Sequence, residues 1–367
     1  MRIAIFKESQ DDRVALVPEI VKRLEQEKNE VLVEEGAGEA AYHPDWQYQE
    51  VNGRIESRDI IFKEGELFVT LHPLENGDWK KFSKGAVIVS LFEPYAHPEI
   101  VEKLAQYAVT VFSMDIIPRV TIAQTMDVLS SMQSTAGYLA VIEAARHLPR
   151  YFPMITSAAG TIPPAKVLIL GAGVAGLQAV ATAKRLGGVV EVFDTRAAVK
   201  EQVESLGAKF VEVEGALDDV KAKGYAVEQT EEYKKRQVAK IHEKAIASDV
   251  IITTAQLRGK PAPLLLTKDM VNEMKLGSVI IDLAASTGGN CELTENGKVV
   301  KKYGVIIIGN SNLAADMPMH ASQLFSRNVY NFLKLLVKEG ELNLDWENEI
   351  IKSSCLVHQG KVMYNQA

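Results

Sequence analysis

The sequence predicts an α/β protein made of two Rossmann-like, doubly wound parallel-sheet domains separated by a cleft. Three observations carry that expectation. Short apolar runs alternate with helical patterns from the first residues. A second set of strand-length runs restarts after Pro163-Pro164. One run of that second set flows into a Gly-x-Gly-x-x-Gly turn at Gly171.

The first set comprises Arg2–Phe6, Glu30–Glu34, Leu67–Leu71, Ala86–Leu91 and Thr110–Ser113, with helical spacing from Ile20 and over Pro98–Tyr107. Met126–His147 then reads as one long helix with Leu129, Tyr138, Val141 and Ala145 as its apolar positions, bounded by Pro149 and Pro153. Thr156–Pro164, rich in small residues, reads as a connection. The second set is Lys166–Leu170, Val189–Phe193, Phe210–Val213, Val250–Thr253, Ser278–Leu283 and Val305–Ile308, the strand complement of a whole nucleotide-binding domain. Ala321–Leu336 reads as an amphipathic helix returning toward the first domain. The expected organisation is therefore a discontinuous first domain, residues 1–128 with 325–367, and a dinucleotide-binding domain, residues 129–324, with ligands in the cleft between them.

Composition agrees. A chain of 367 residues suggests two domains, large enough to bury cores without disulfides or a metal. The apolar fraction of 47% and charged fraction of 24% exclude a disordered or fibrous chain. A net charge of −7 argues against nucleic acid or an anionic membrane as a general partner. Cys291 and Cys355, without Cys-x-x-Cys or paired-His spacing, point to a reducing compartment and no zinc site. The longest weakly polar stretch, Val167–Ala183, is 17 residues and carries three glycines, too short and too broken for a membrane span. The chain is expected to be soluble, any membrane role coming through a partner.

The clearest chemistry lies at Gly171-Ala172-Gly173-Val174-Ala175-Gly176. Gly171 permits the tight turn, Gly173 lets a pyrophosphate approach the backbone, and Gly176 lets the helix pack on the strand. Free N–H groups of the helix N-terminus then face the diphosphate. Asp194 ends the next strand about 20 residues on. Its carboxylate suits ribose hydroxyls and repels a 2′-phosphate, favouring NAD(H) over NADP(H). Arg196 has two readings, receiving a 2′-phosphate or stacking on adenine. The charge-dense stretch Lys221–Lys244 is either a solvated helix or a mobile lid led by Gly224-Tyr225-Ala226.

A second constellation is Arg119, Gln124, Asp127 and Ser130/Ser131. If Gln124–Ser131 begins a helix, the last three share one face; the competing reading is helix capping, by Thr121 or Thr125 with Asp127 in the first turn. The set holds no strong nucleophile and suits orienting a carboxamide and ribose better than covalent catalysis. The third is Asp282 followed by Gly288-Gly289-Asn290-Cys291, a loop at the carboxyl edge of the sheet, with strand-end capping and a simple turn as the plainer readings. Cys291 reads as a small buried residue. Among the histidines, His43, His97 and His147 suit surface or capping roles, whereas His72 and His320 lie near loop edges that could face the cleft.

These segments, together with Arg13–Pro18, Lys200–Gly207 and Gly259–Pro263, occur in an order that closely resembles the soluble NAD(H)-binding component, domain I, of proton-translocating nicotinamide nucleotide transhydrogenase, in its split-gene form. The resemblance covers nearly the whole chain. It implies two Rossmann-like domains, a homodimer, and hydride transfer between NADH and NADP+ held on a partner component, coupled to proton movement by membrane subunits at the inner face of the inner membrane. It implies that Gly171–Gly176 hold the pyrophosphate, Asp194 the adenosine ribose, and Thr195 and Arg196 the adenine. Gly224, Tyr225 and Ala226 would form the mobile loop, with Gln237 in the helix after it, and Gln256 would complete the cofactor-binding set. Arg119, Gln124, Asp127 and Ser130 match the loop that orients the nicotinamide. Transfer from ring to ring needs two rings held close, aligned and dry, and no general acid or base. Val227, Gln229 and Ser286 depart from the family, which usually has Lys, Met and often Glu there.

The rival within the same fold is an alanine dehydrogenase-like amino-acid dehydrogenase. Relatives of that kind carry a Lys where Leu67–Leu74 here has only His72, a catalytic His where Phe92-Glu93-Pro94 stands, and an Asp where Ser286 or Thr287 stands. A rival of another class, a non-catalytic NAD sensor, would need no Arg119–Ser130 loop.

Overall fold

The computed structural model describes residues 1–75, 77–213, 230–257 and 259–364. The chain divides into two compact units, Met1–Met132 with Ala314–Ala367, and Gln133–Leu313. The division falls inside the helix α1, Val128–His147.

In the first unit, β1 (Arg2–Ile5), β2 (Glu30–Glu34), β3 (Arg54–Glu56), β4 (Leu67–Val69), β5 (Val87–Ser90) and β6 (Thr110–Ser113) are parallel in the order β6-β5-β4-β1-β2-β3. Ile3 lies opposite Val31 on one side and Leu67 on the other. The sheet continues beyond β6 with Cys355–His358, antiparallel, and then Lys361–Val362. Side chains alternate across the pleat and both faces are covered, which is why these strands read as continuous apolar runs. Ile3, Ile5, Val31, Val33 and Val89 pack on one face with Phe325, Val329 and Phe332 of the helix Pro318–Leu336. Ala4, Phe6, Leu32, Phe68 and Ile88 pack on the other with Phe62, Trp79 and Phe92.

The second unit begins with an antiparallel hairpin, β7 (Ile155–Ser157) and β8 (Gly160–Ile162), where sequence reading expected only a connection. Its main sheet is β9 (Lys166–Leu170), β10 (Val189–Phe193), β11 (Lys209–Phe210), β12 (Val250–Thr253), β13 (Val279–Asp282), β14 (Val299–Lys302) and β15 (Val305–Ile308), ordered β11-β10-β9-β12-β13-β15-β14. All neighbours are parallel except β14 with β15. Val167, Ile169, Val250 and Ile252 face one core and Leu168, Leu170, Ile251 and Ile280 the other. The helices α2 (Val174–Arg185) and α3 (Glu231–Ala247) contribute one side chain set to each: Ala179 and Val180 to the first, Ile241 and Ala245 to the second.

The mixed, mostly parallel α/β architecture is the one the sequence predicted. Tyr138, expected as an apolar core position of α1, is instead exposed. The described half of the charge-dense stretch is a helix buried only at Tyr233, Ile241 and Ala245, with Lys234–Glu231 and Lys240–Glu243 paired on its surface. Gly224, Tyr225, Ala226, Val227 and Gln229 lie outside the described residues.

Candidate functional site

In the second unit the chain runs from β9 outward through β10 and β11, then returns to the other side of β9 through β12, β13 and β15. The strand order therefore reverses between β9 and β12, and ligands of such sheets bind outside the carboxyl ends at that point. Gly171–Gly176 leaves the end of β9 there, and Thr254–Gln256 leaves the end of β12.

Each glycine has its own physical reason. Gly171 sits at φ +107°, and a Cβ there would meet Thr254 Oγ1 at 2.5 Å. Its N–H donates to Phe193 O at 2.8 Å, tying the turn to the end of β10. A Cβ on Gly176 would lie 1.9 Å from Gly171 O, so only glycine lets α2 start this close to the turn. Around Gly173 a Cβ would meet nothing within 4 Å. Gly173 is the residue that precedes the first turn of α2, whose N–H groups lack intrahelical acceptors. The turn thus leaves open space beside unsatisfied donors, which fits a diphosphate. Val174 is exposed beside it, while Ala172 and Ala175 are buried.

Asp194 closes the other side. The Ala172 N–H donates to its Oδ2 at 2.7 Å and the Arg196 N–H to its Oδ1 at 2.8 Å. The Arg196 guanidinium straddles the same carboxylate, Nε to Oδ1 at 2.9 Å and Nη2 to Oδ2 at 2.7 Å. These hydrogen bonds to Asp194 raise the pKa of Arg196. Burial, with the Asp194 charge adding to it, raises the Tyr233 phenol. Thr195 is half-buried between the two. Gln256 is exposed and donates through Nε2 to Leu283 O at 3.0 Å. Gln237 is half-buried on α3.

Two residues of this edge escaped sequence reading. Thr254 donates its hydroxyl to Gly171 O at 3.1 Å and so braces the turn from the neighbouring strand. Asn290 donates to Ala255 O at 2.9 Å and Pro263 O at 2.8 Å, and accepts from the Ala255 N–H at 3.1 Å, stapling the loop after β12. Asp282 proves structural: fully buried, it accepts from Thr253 Oγ1, Thr294 Oγ1 and the N–H groups of Ala284, Asn290 and Cys291. Burial pushes the Cys291 thiol up to about 11, as befits a packed residue rather than a nucleophile.

In the first unit, the expected helix from Gln124 through Ser131 is broken at Asp127. Thr121–Met126 forms a 3-10 helix, and Asp127 takes φ −76°, ψ 89°. Its carboxylate accepts from the Ser130 N–H at 2.9 Å and the Ser130 hydroxyl at 2.6 Å, which makes Asp127 itself the N-cap of α1. Gln124 therefore sits on a separate turn. Arg119 and Gln124 are exposed, and so is Ile122 between them. Ser131 donates to Asn328 Oδ1 at 2.7 Å, and Asn328 donates to Thr125 O at 2.8 Å, which fixes both ends of the loop to the helix Pro318–Leu336.

A second charged cluster lies at the carboxyl ends of β1 and β4, where the first sheet reverses. Asp11 accepts from the Arg13 N–H at 2.9 Å, from Arg13 Nε at 2.8 Å and from His72 Nε2 at 2.8 Å. Burial opposes ionisation of Asp11, but these hydrogen bonds outweigh it and hold its carboxyl well below the usual range. The bond to Asp11 raises His72. Arg13 is buried, its guanidinium committed to Asp11 and to Met132 Sδ.

Comparison with known proteins places this geometry. Residues 4–136 match the family model for the alanine dehydrogenase/PNT N-terminal domain and residues 140–365 that for the C-terminal domain. The chain is 42% identical to the first of the separate pieces of NAD(P) transhydrogenase subunit alpha of Rhodospirillum rubrum, over 99% of this chain and 98% of that one. The crystal structure of transhydrogenase from Sinorhizobium meliloti superimposes with a TM-score of 0.88 at 38% identity, covering 100% of both chains. Alanine dehydrogenase of Staphylococcus epidermidis is more distant, 27% identical over 93% of this chain and 88% of that one. The chain belongs to the alanine dehydrogenase/PNT family, and within it is similar to the NAD(P) transhydrogenase alpha subunits.

Proposed function

We propose that this protein is the NAD(H)-binding component of a nicotinamide nucleotide transhydrogenase, an oxidoreductase that passes a hydride directly between NADH and NADP+ held on a partner component. The observation that carries the reading is the glycine turn with Asp194 at the sheet's reversal point, joined to the likeness to transhydrogenase alpha subunits. Bound NADH supplies the hydride of its reduced ring, and NADP+ accepts it, with no net proton exchanged. The chain's own residues bind and orient. The N–H groups at the start of α2 hold the diphosphate, Asp194 the adenosine ribose, Thr195 and Arg196 the adenine. Gln237, Gln256 and the loop holding Gly224, Tyr225 and Ala226 complete the cofactor set. Arg119, Gln124, Asp127 and Ser130 act on the nicotinamide end. Nothing in this set is asked to take up or release a proton, which agrees with side chains that are amides, hydroxyls and a committed cap.

Oxidative deamination of an amino acid asks for a cation free to take the substrate carboxylate. Arg13, the residue the rival reading requires, already holds the carboxylate of Asp11 and is buried. That favours the transhydrogenase reading over the alanine dehydrogenase one. The partners follow: an NADP(H)-binding component and membrane subunits, with the protein cytoplasmic and held peripherally at the inner face of the membrane. Among the described residues no helix is long and apolar enough to cross a membrane. A second copy of the chain is the expected partner of the β7–β8 hairpin. A lone two-stranded hairpin is marginal in water, yet Met154, beside it, and Ile162 on it are exposed.

The proposal is tested by titrating the protein with NADH, following ring fluorescence, and by incubating it with NAD+ and L-alanine. Saturable NADH binding without alanine-dependent NAD+ reduction is expected. Alanine-dependent reduction would overturn the reading in favour of the dehydrogenase.

A further inference from the structure

The Asp194 carboxylate has no vacant acceptor position. Each oxygen accepts two hydrogen bonds: Oδ1 from Arg196 N and Arg196 Nε, Oδ2 from Ala172 N and Arg196 Nη2. That fills the roughly four lone-pair sites a carboxylate offers. The side chain is also only 7% exposed, so no further donor can approach without one of these leaving. Two of the four donors are backbone N–H groups fixed by the glycine turn and by the end of β10. The other two belong to one flexible side chain that is 24% exposed and has solvent to move into.

The pattern of those two exchangeable bonds is informative. The guanidinium places one N–H on each carboxylate oxygen, the bidentate arrangement of a planar fork. The vicinal hydroxyls of a ribose present the same pattern, one O–H per oxygen. A carboxylate this buried carries a large desolvation penalty unless it is partnered, and Arg196 removes that penalty.

We propose that Arg196 is an internal competitor for the ribose seat, so that NAD(H) binds by displacing the Arg196 guanidinium from Asp194. This rests on reading the Gly171–Gly176 turn as an NAD(H) site, and it goes beyond it by assigning Arg196 an effect opposite to that of a simple ligand-holding residue. Affinity is set by a difference: two ribose hydrogen bonds gained, one bidentate ion pair lost. Because the pair is partly exposed, its loss is modest. Removing the guanidinium therefore tightens binding, where removing a residue that only grips the adenine or the ribose weakens it.

The test is the dissociation constant of NADH for the full chain, measured by fluorescence for the wild type, Arg196→Gln and Arg196→Lys, with thermal melting to confirm that each is folded. Arg196→Gln cannot bridge both oxygens and should tighten NADH about three- to tenfold. Arg196→Lys keeps a charge but reaches as a single point, and should tighten it less. Reduced nicotinamide mononucleotide, which lacks the adenosine ribose, should bind all three proteins alike. An Arg196→Gln affinity for NADH equal to or weaker than wild type overturns the displacement. So does equal tightening of NADH and the mononucleotide. Should Arg196→Gln fail to fold, unchanged or weaker binding by Arg196→Lys overturns it instead. A wild type that binds no NADH overturns the site reading itself, and this proposal with it. The two failures are distinguishable by the wild-type titration alone.

Discussion

Gly176→Ala abolishes measurable NADH binding and lowers the melting temperature. The expectation comes from one distance. A Cβ at position 176 would sit 1.9 Å from the Gly171 carbonyl oxygen and 2.9 Å from its carbon, both backbone atoms that cannot rotate aside. The turn is braced on both flanks, by Phe193 O accepting from the Gly171 N–H and by Thr254 Oγ1 donating to the Gly171 carbonyl. Relief therefore has to come from α2 backing away from β9. Overpacking of this kind costs about 1–3 kcal/mol. The same shift moves the helix N-terminus off the position where its N–H groups meet the diphosphate, and a misplacement of about 1 Å suffices to cost roughly a hundredfold. Gly173→Ala is the control. A Cβ there meets no protein atom within 4 Å, so the fold should be unaffected while NADH binding still falls, because the added methyl enters the space the ligand uses. Calorimetric melting and fluorescence titration of both variants check this. Equal stability loss in the two would show that the turn is only a packing device.

The second large effect falls on rate. Gln124→Asn should slow hydride transfer to NADP+ on the partner component by about ten- to a hundredfold while leaving the dissociation constant for NADH within about twofold. The substitution removes one methylene and draws the amide back by about 1.5 Å. Gln124 is exposed on its 3-10 turn and packs into no core, so stability should change by no more than about 0.5 kcal/mol. An interaction that aligns a ring for transfer is felt in the transfer step, whereas one that merely holds the cofactor is felt in affinity. Stopped-flow transfer rates beside equilibrium titrations separate the two, and an equal loss in both would mean that the loop serves binding alone.

The regions of the fold visible in the sequence were those where one physical signal dominates. Central parallel strands are buried on both faces, so β9, β12 and β13 appear as unbroken apolar runs. The edge strands were not visible. β3 is Arg-Ile-Glu and β14 is Val-Val-Lys-Lys, both partly solvated, and charge on an edge strand masks its period. Strand Cys355–His358 was hidden because it abuts the helix Glu349–Ser354 without a break. At the site, the glycine turn could be read because each glycine answers a backbone requirement that only spacing expresses. The break at Asp127 could not. An Asp three residues before Ser130 suits a continuous helix face and an N-cap equally well, and the choice depends on how Asn328, about 200 residues away in sequence, grips the loop through Thr125 and Ser131. The same holds for Asp194 and Arg196, whose two-residue spacing is silent about whether the guanidinium reaches out to a ligand or back onto the carboxylate.

The most direct test of the central claim is a stopped-flow experiment with the isolated protein, NADH, and thio-NADP+ held on a transhydrogenase NADP(H)-binding component, following formation of the reduced thio-nucleotide. Rapid reduction is expected that requires both proteins, proceeds without L-alanine, and is lost with Gly176→Ala. Saturable NADH binding with no reduction of the partner-held nucleotide would contradict the claim.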